Sequence, residues 1–159
     1  MPETKKNEVS MGDFDSRKVG ESELFSKGFG TCVGVVVTGE PRRGGPTRFL
    51  LHLSLGSDWS EARKKWDEFV EAVEASGMRR MRGYLLTIDT TLAKDPDLAN
   101  DDDLRSVAEG LEIDYRRVKE NLQRLVGRDN VVHATHGFGK TTDMKVDENN
   151  VVTFNGKRM

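Results

Sequence analysis

The chain has 159 residues, with 25 Lys and Arg against 27 Asp and Glu, a formal net charge of −2 and a single cysteine. A near-neutral chain lacks the basic face that phosphate neutralisation demands, which argues against nucleic acid as the main partner. One cysteine excludes an intramolecular disulfide and a multi-cysteine zinc site, and it fits a reducing, cytoplasmic setting. No apolar run approaches the roughly 20 residues of a bilayer span, so membrane insertion is not expected, and the polar start at Met1–Lys6 leads into no signal-peptide core.

The length suits one domain. Residues 1–20 are polar and without sustained periodicity, which predicts a flexible arm ahead of a domain over 21–159. Thr31–Val37 is short, β-branched and flanked by Gly28, Gly30 and Gly39, the pattern of a buried strand. The turn-rich stretch Thr38–Pro46 separates it from a second apolar strand over Arg48–Leu55, so the two form an antiparallel hairpin. Ser57 and Asp58 offer N-caps to a helix whose stripe is Trp59, Ala62, Trp66, Phe69, Val70 and Val73, with Gly77 as its stop.

Tyr84–Ile88 reads as a strand, residues 89–103 as an acidic loop, and Ile113, Val118, Leu122, Leu125 and Val126 as a second helical stripe closed by Gly127. Val131–Ala134 is a further strand, and Met144–Val146 with Val151–Phe154 flank a turn at Asn149-Asn150. The order predicts an α+β fold, a layered sandwich of mixed or antiparallel β-sheet with helices packed on the outside.

Three motifs are weaker than they look. Ala134–Thr141 resembles a phosphate-binding loop with Ala in place of the first Gly, but a strand-forming pattern follows where a helix is required. His133 and His136 lie on opposite faces of a strand and have no third ligand nearby, so no metal is expected. Asp95, Asp97 and Asp101–Asp103 lack the glycine and terminal glutamate of a calcium loop. The basic clusters Pro41-Arg42-Arg43 and Arg79-Arg80-Met81-Arg82 read as solvated surface charge.

Cys32 and His52 carry the remaining chemistry. Alternation places Cys32, Gly34 and Val36 on one face of the first strand, and Leu50, His52 and Ser54 on one face of the second. A hairpin turning at Arg42 sets Cys32 directly across from His52, with Cβ atoms roughly 5 Å apart. Gly34 then leaves room beside the imidazole. A structural cysteine in a valine-rich strand is the plain alternative.

The segment Leu24-Phe25-Ser26-Lys27-Gly28-Phe29-Gly30-Thr31-Cys32-Val33-Gly34-Val35 resembles the nucleophile region of the chemoreceptor glutamine deamidases, the CheD family. That family has a Gly-x-Gly-Ser/Thr-Cys-Val core, a Thr six residues before the Cys, and a His in the next apolar strand. The likeness extends over 21–154 in the order of elements. Ser26 stands for the Thr, and Thr87-Ile88-Asp89-Thr90 stands where a Phe-Gly-Gly-Ala-like motif is expected.

The resemblance implies a cysteine-dependent protein-glutamine deamidase, a hydrolase needing no cofactor, acting on an exposed Gln of a chemoreceptor or other protein. It makes Cys32 the nucleophile and His52 the base. Ser26 is expected to orient the other ring nitrogen. An imidazolium next to Cys32 is expected to lower the thiol pKa, and the backbone N–H groups of Gly30, Thr31 and Val33 to hold the oxyanion. A non-catalytic regulatory module on the same fold, or another Cys–His amidase, are the alternatives.

Overall fold

The computed structural model of the chain describes residues 7–55, 59–91, 102–137 and 142–159. In chain order the elements are β1 (Phe14–Lys18), β2 (Leu24–Ser26), β3 (Val33–Glu40), β4 (Pro46–Leu53), α1 (Trp59–Ser76) and β5 (Arg79–Ile88). α2 (Asp102–Val126), β6 (Val131–His136), β7 (Met144–Val146), β8 (Val152–Phe154) and β9 (Lys157–Arg158) complete it. One sheet has the order β1-β4-β3-β5-β6, and a second has the order β2-β7-β8-β9. All pairings are antiparallel except β5 with β6.

The α+β sandwich read from the sequence is the observed class, with the layers distributed unequally. Both helices cover one face of the five-stranded sheet. There Val33, Val35, Val37, Leu51 and Leu53 pack on Ala62, Trp66, Phe69 and Val73 of α1 and on Leu111, Val118 and Leu122 of α2. The small sheet covers the other face, where Val36, Leu50 and Leu86 meet Leu24, Met144, Val146 and Val152. Strands buried on both faces explain why Val33–Val37 of β3 and Phe49–Leu51 of β4 carry apolar residues without polar alternation. Gly83 marks the closest approach of α2: a Cβ there would stand 2.9 Å from the Leu122 side chain.

Four expectations change. Of the arm expected over residues 1–20, residues 1–6 lie outside the described residues, and in the rest Phe14–Lys18 is an edge strand beside β4, and Val9 is buried with its N–H bonded to the carbonyl of Phe25. The β3–β4 hairpin does not turn at Arg42. Arg43 and Gly44 both take positive φ, +47° and +75°, and Gly45 N–H bonds Arg42 O at 2.9 Å, the arrangement of a two-residue turn with left-handed central residues. The ladder accordingly pairs Gly34, not Cys32, with His52.

In α2, Ile113 is 53% exposed, and the buried stripe runs through Ala108, Leu111, Tyr115, Val118, Leu122 and Val126. That stripe is at helical steps of three and four, whereas Ile113 lies off it. The fourth change is at the start of α2, which already includes Asp102 and Asp103. The caps Ser57 and Asp58, the acidic positions Asp95, Asp97 and Asp101, and Lys140 lie outside the described residues.

Two buried arginines fix the relation of the layers. Arg17 and Arg48 are cross-strand partners in β1 and β4, both buried. Arg48 donates to the carbonyls of Lys18, Glu21 and Ser22, so the turn that carries the chain from β1 into β2 is tied to β4. Main-chain carbonyls are well suited to receive a buried guanidinium, whose several fixed donors would otherwise be left unmatched.

Candidate active site

β4 places the His52 side chain on the face turned toward the small sheet, and β2 of that sheet brings Ser26 onto it. Ser26 Oγ lies 2.7 Å from His52 Nδ1. The same hydroxyl donates its one proton to the carbonyl of Val9. With that proton committed, Oγ accepts from Nδ1–H, so the ring is the Nδ1–H tautomer and Nε2 carries the lone pair. Nε2 is buried and has no hydrogen-bond partner among the described residues.

The ring is clamped further. Phe29 stacks on it with centroids 4.0 Å apart and planes 20° from parallel. The backbone of His52 is held from the other side, its N–H on the carbonyl of Asp13 and its carbonyl on Gly12 N–H. Gly34, directly across the ladder, admits this stack. A Cβ there would stand 2.6 Å from Met144 Sδ and 3.0 Å from the Phe29 ring. The space beside the imidazole that the sequence suggested is therefore filled, by Phe29 and Met144.

Cys32 stands just before β3 and is 9% exposed. Extending the β3–β4 register by one residue sets it across from Ser54, and hydrogen bonding to the Ser54 side chain favours its thiolate. Burial outweighs that contribution and pushes the thiol pKa up. Burial also pulls the His52 pKa down from 6.5 to about 4. The expected thiolate–imidazolium pair is thus corrected to a neutral thiol and a neutral imidazole: desolvation penalises both charged forms. His52 is the diagonal neighbour of Cys32 on the same face, a cross-strand relation of roughly 7–8 Å between Cα atoms and less between side chains.

The proposed oxyanion residues separate into two groups. Gly30 and Thr31 are exposed beside the thiol, and a Cβ on Gly30 would meet nothing within 4 Å. Val33 is already the first residue of the β3 ladder, buried among residues that face the helices.

Several contributors were not singled out in the sequence. Val9 orients Ser26. Tyr115 of α2 donates its hydroxyl to Thr31 O at 2.9 Å, so a helix on one face of the sheet holds the loop carrying the thiol, and burial raises the phenol pKa. The β3–β5 register carried two residues on brings Ile88 beside Cys32, and Ile88 pairs with His136. His136 is buried with Nε2 unpartnered among the described residues, as is Thr142 Oγ1, and the Thr142 carbonyl accepts from Phe29 N–H. Tyr115 was legible as a step of an amphipathic stripe; nothing in the sequence tied it to Thr31.

His133 bonds Thr87 Oγ1 at 2.8 Å, and His136 lies on the other face of β6 by strand alternation. Among the described residues no three His, Cys, Asp or Glu side chains gather as a metal site. Within the same residues no helix is long and apolar enough to cross a membrane. No protein-family model matches the chain, and no curated protein matches it.

Proposed function

We propose that this chain is a cysteine-dependent protein-glutamine deamidase related to the chemoreceptor glutamine deamidases, acting in the cytoplasm on an exposed Gln of a chemoreceptor or another protein. The observation that carries the reading is the Val9–Ser26–His52 chain of hydrogen bonds, which leaves Nε2 without a partner among the described residues, on a ring two register positions diagonal to Cys32. A nucleophile, a base and a group that orients the base are the parts that thiol catalysis needs.

The resting pair is neutral, so activation follows proton transfer and not a standing ion pair. As Sγ attacks the carbonyl carbon of the side-chain amide, the thiol proton passes to Nε2. The C=O pair moves onto oxygen, and the N–H groups of the exposed Gly30 and Thr31 are the donors this reading assigns to it. Collapse breaks the C–N bond, the Nε2 proton goes to the departing nitrogen, and ammonia leaves a thioester. Water then attacks with Nε2 as base, and the thiolate leaves and recovers a proton, releasing a glutamate side chain.

The test is proteomic. Incubation of candidate proteins with the wild-type chain should convert specific Gln residues with a mass gain of about one unit and no backbone cleavage, as side-chain chemistry requires. Cys32→Ala should abolish the conversion with an unchanged fold. Equal conversion by both forms would remove Cys32 as nucleophile, and a cut backbone would reassign the chain to another Cys–His amidase.

The raised thiol pKa favours a second reading, a non-catalytic binding module that keeps a buried cysteine. Alkylation by iodoacetamide separates the two. A working thiol should be modified once per chain and be protected by a Gln-bearing substrate, whereas a structural one should stay inert in the folded state.

A further inference from the structure

The two basic clusters that read separately in the sequence meet in the fold. The β3–β5 pairing sets Glu40 beside Arg79 and Thr38 beside Arg82, so the hairpin tip and the start of β5 share one end of the large sheet. Between them lies a cavity of about 410 Å³ lined by Pro41, Arg42, Arg43, Gly77 and Arg79.

The charges around it are unbalanced. Arg42, Arg43 and Arg79 are all exposed, and among the described residues none of the three has an acidic partner. The nearby carboxylate of Glu40 is taken by Arg80 at 3.3 Å. The C-terminus of α1 ends at Ser76 beside the cavity, and its last turn has no basic residue and carries the acidic Glu74. A helix end amounts to roughly half a negative charge. Three guanidinium charges still exceed that half charge and the Glu74 carboxylate together.

Two local features shape this end of the sheet. Arg42 lies against Gly77, where a Cβ would stand 2.6 Å from Cδ and 3.3 Å from Nη1 of the arginine; the bare α-carbon is what lets its side chain lie along the cavity wall. Arg43 is held in the left-handed region at φ +47°, a conformation that disfavours a branched or long L side chain in a turn that glycine would occupy more readily.

We propose that this cavity binds a phosphate group, free or esterified. Guanidinium groups present paired N–H donors that match tetrahedral oxyanions, and a concave site concentrates their field. The site is independent of the thiol: Cys32 precedes β3 and Pro41 follows it, nine residue steps of extended chain that separate them by about 30 Å.

The test titrates the full chain with inorganic phosphate and, separately, with O-phosphoserine at constant ionic strength, followed by calorimetry and by backbone amide shifts. Wild type should show saturable binding with Kd at or below about 1 mM, and Arg42→Ala and Arg79→Ala should each weaken it at least about tenfold. Lys145→Ala, on the other sheet, should leave it unchanged. Tighter binding of phosphoserine identifies an esterified ligand, and equal or weaker binding identifies free phosphate. No saturable binding by wild type overturns the proposal, as does binding that survives both arginine substitutions. A drop in thermal stability of the arginine variants without phosphate binding by wild type would assign these arginines to the α1 terminus alone.

Discussion

At the scale of single residues, His52 links the site to pH. Its pKa is about 4 in the folded chain against an ordinary 6.5, so the unfolded chain binds the extra proton between those values. Stability contributed by the neutral ring is therefore complete above pH 6.5 and is lost as pH falls toward 4. Urea midpoints measured at pH 7, 5 and 4 should fall, and His52→Gln should flatten part of that fall; an unchanged slope would show that the ring titrates normally. Ser26→Ala removes the acceptor for Nδ1–H. Leaving that donor buried and unpaired costs on the order of 1–3 kcal/mol, and turnover should drop with it, whereas Ser26→Thr, which keeps the hydroxyl, should restore most of both. Thiolate absorbance should appear only above the ordinary thiol range near pH 8.5, since burial raises the Cys32 pKa; appearance near neutrality would restore the ion pair.

At the scale of elements, the packing of α2 on β5 and its grip on the thiol loop are separable. Gly83→Ala forces a methyl against the fully buried Leu122. Overpacking of this kind costs roughly 1–3 kcal/mol, read as a lower denaturant midpoint with little change in turnover per folded molecule. Tyr115→Phe keeps the ring and deletes the hydrogen bond to Thr31 O. Its stability cost should be about 1 kcal/mol, while turnover should fall further than that, because the loop beside Cys32 loses its tether. Equal turnover per folded molecule would make Tyr115 purely structural.

For the molecule as a whole, the N-terminal segment belongs to the site. Val9 receives the Ser26 proton, and Gly12 and Asp13 hold the His52 backbone. A chain lacking residues 1–12 should therefore lose activity and thermal stability together; full activity in that truncation would show that the Ser26–His52 bond stands without Val9.

Local pattern was enough for much of this. Valine-rich β3, the α1 stripe ending at Gly77 and the hairpin of β7 and β8 each declare themselves through side-chain periodicity and turn residues, which are properties of neighbours in sequence. Strand alternation put Cys32 and His52 on facing sides of one hairpin, whereas Ser26 was named only by the resemblance of its segment to the chemoreceptor glutamine deamidases. What local pattern left open was the register. A left-handed pair at Arg43-Gly44 moves the hairpin by two positions, and with it the partner of His52 from Cys32 to Gly34.

Charge state, the role of Val9 and the grip of Tyr115 were decided by the tertiary structure alone. Desolvation depends on how deeply packing buries a group, and the contacts that orient the ring join residues far apart in the chain. The amino-acid sequence by itself determined which side chains are candidates for chemistry. Only the folded layers decided that they rest uncharged, because burial acts on a group through everything packed around it, wherever in the chain it comes from.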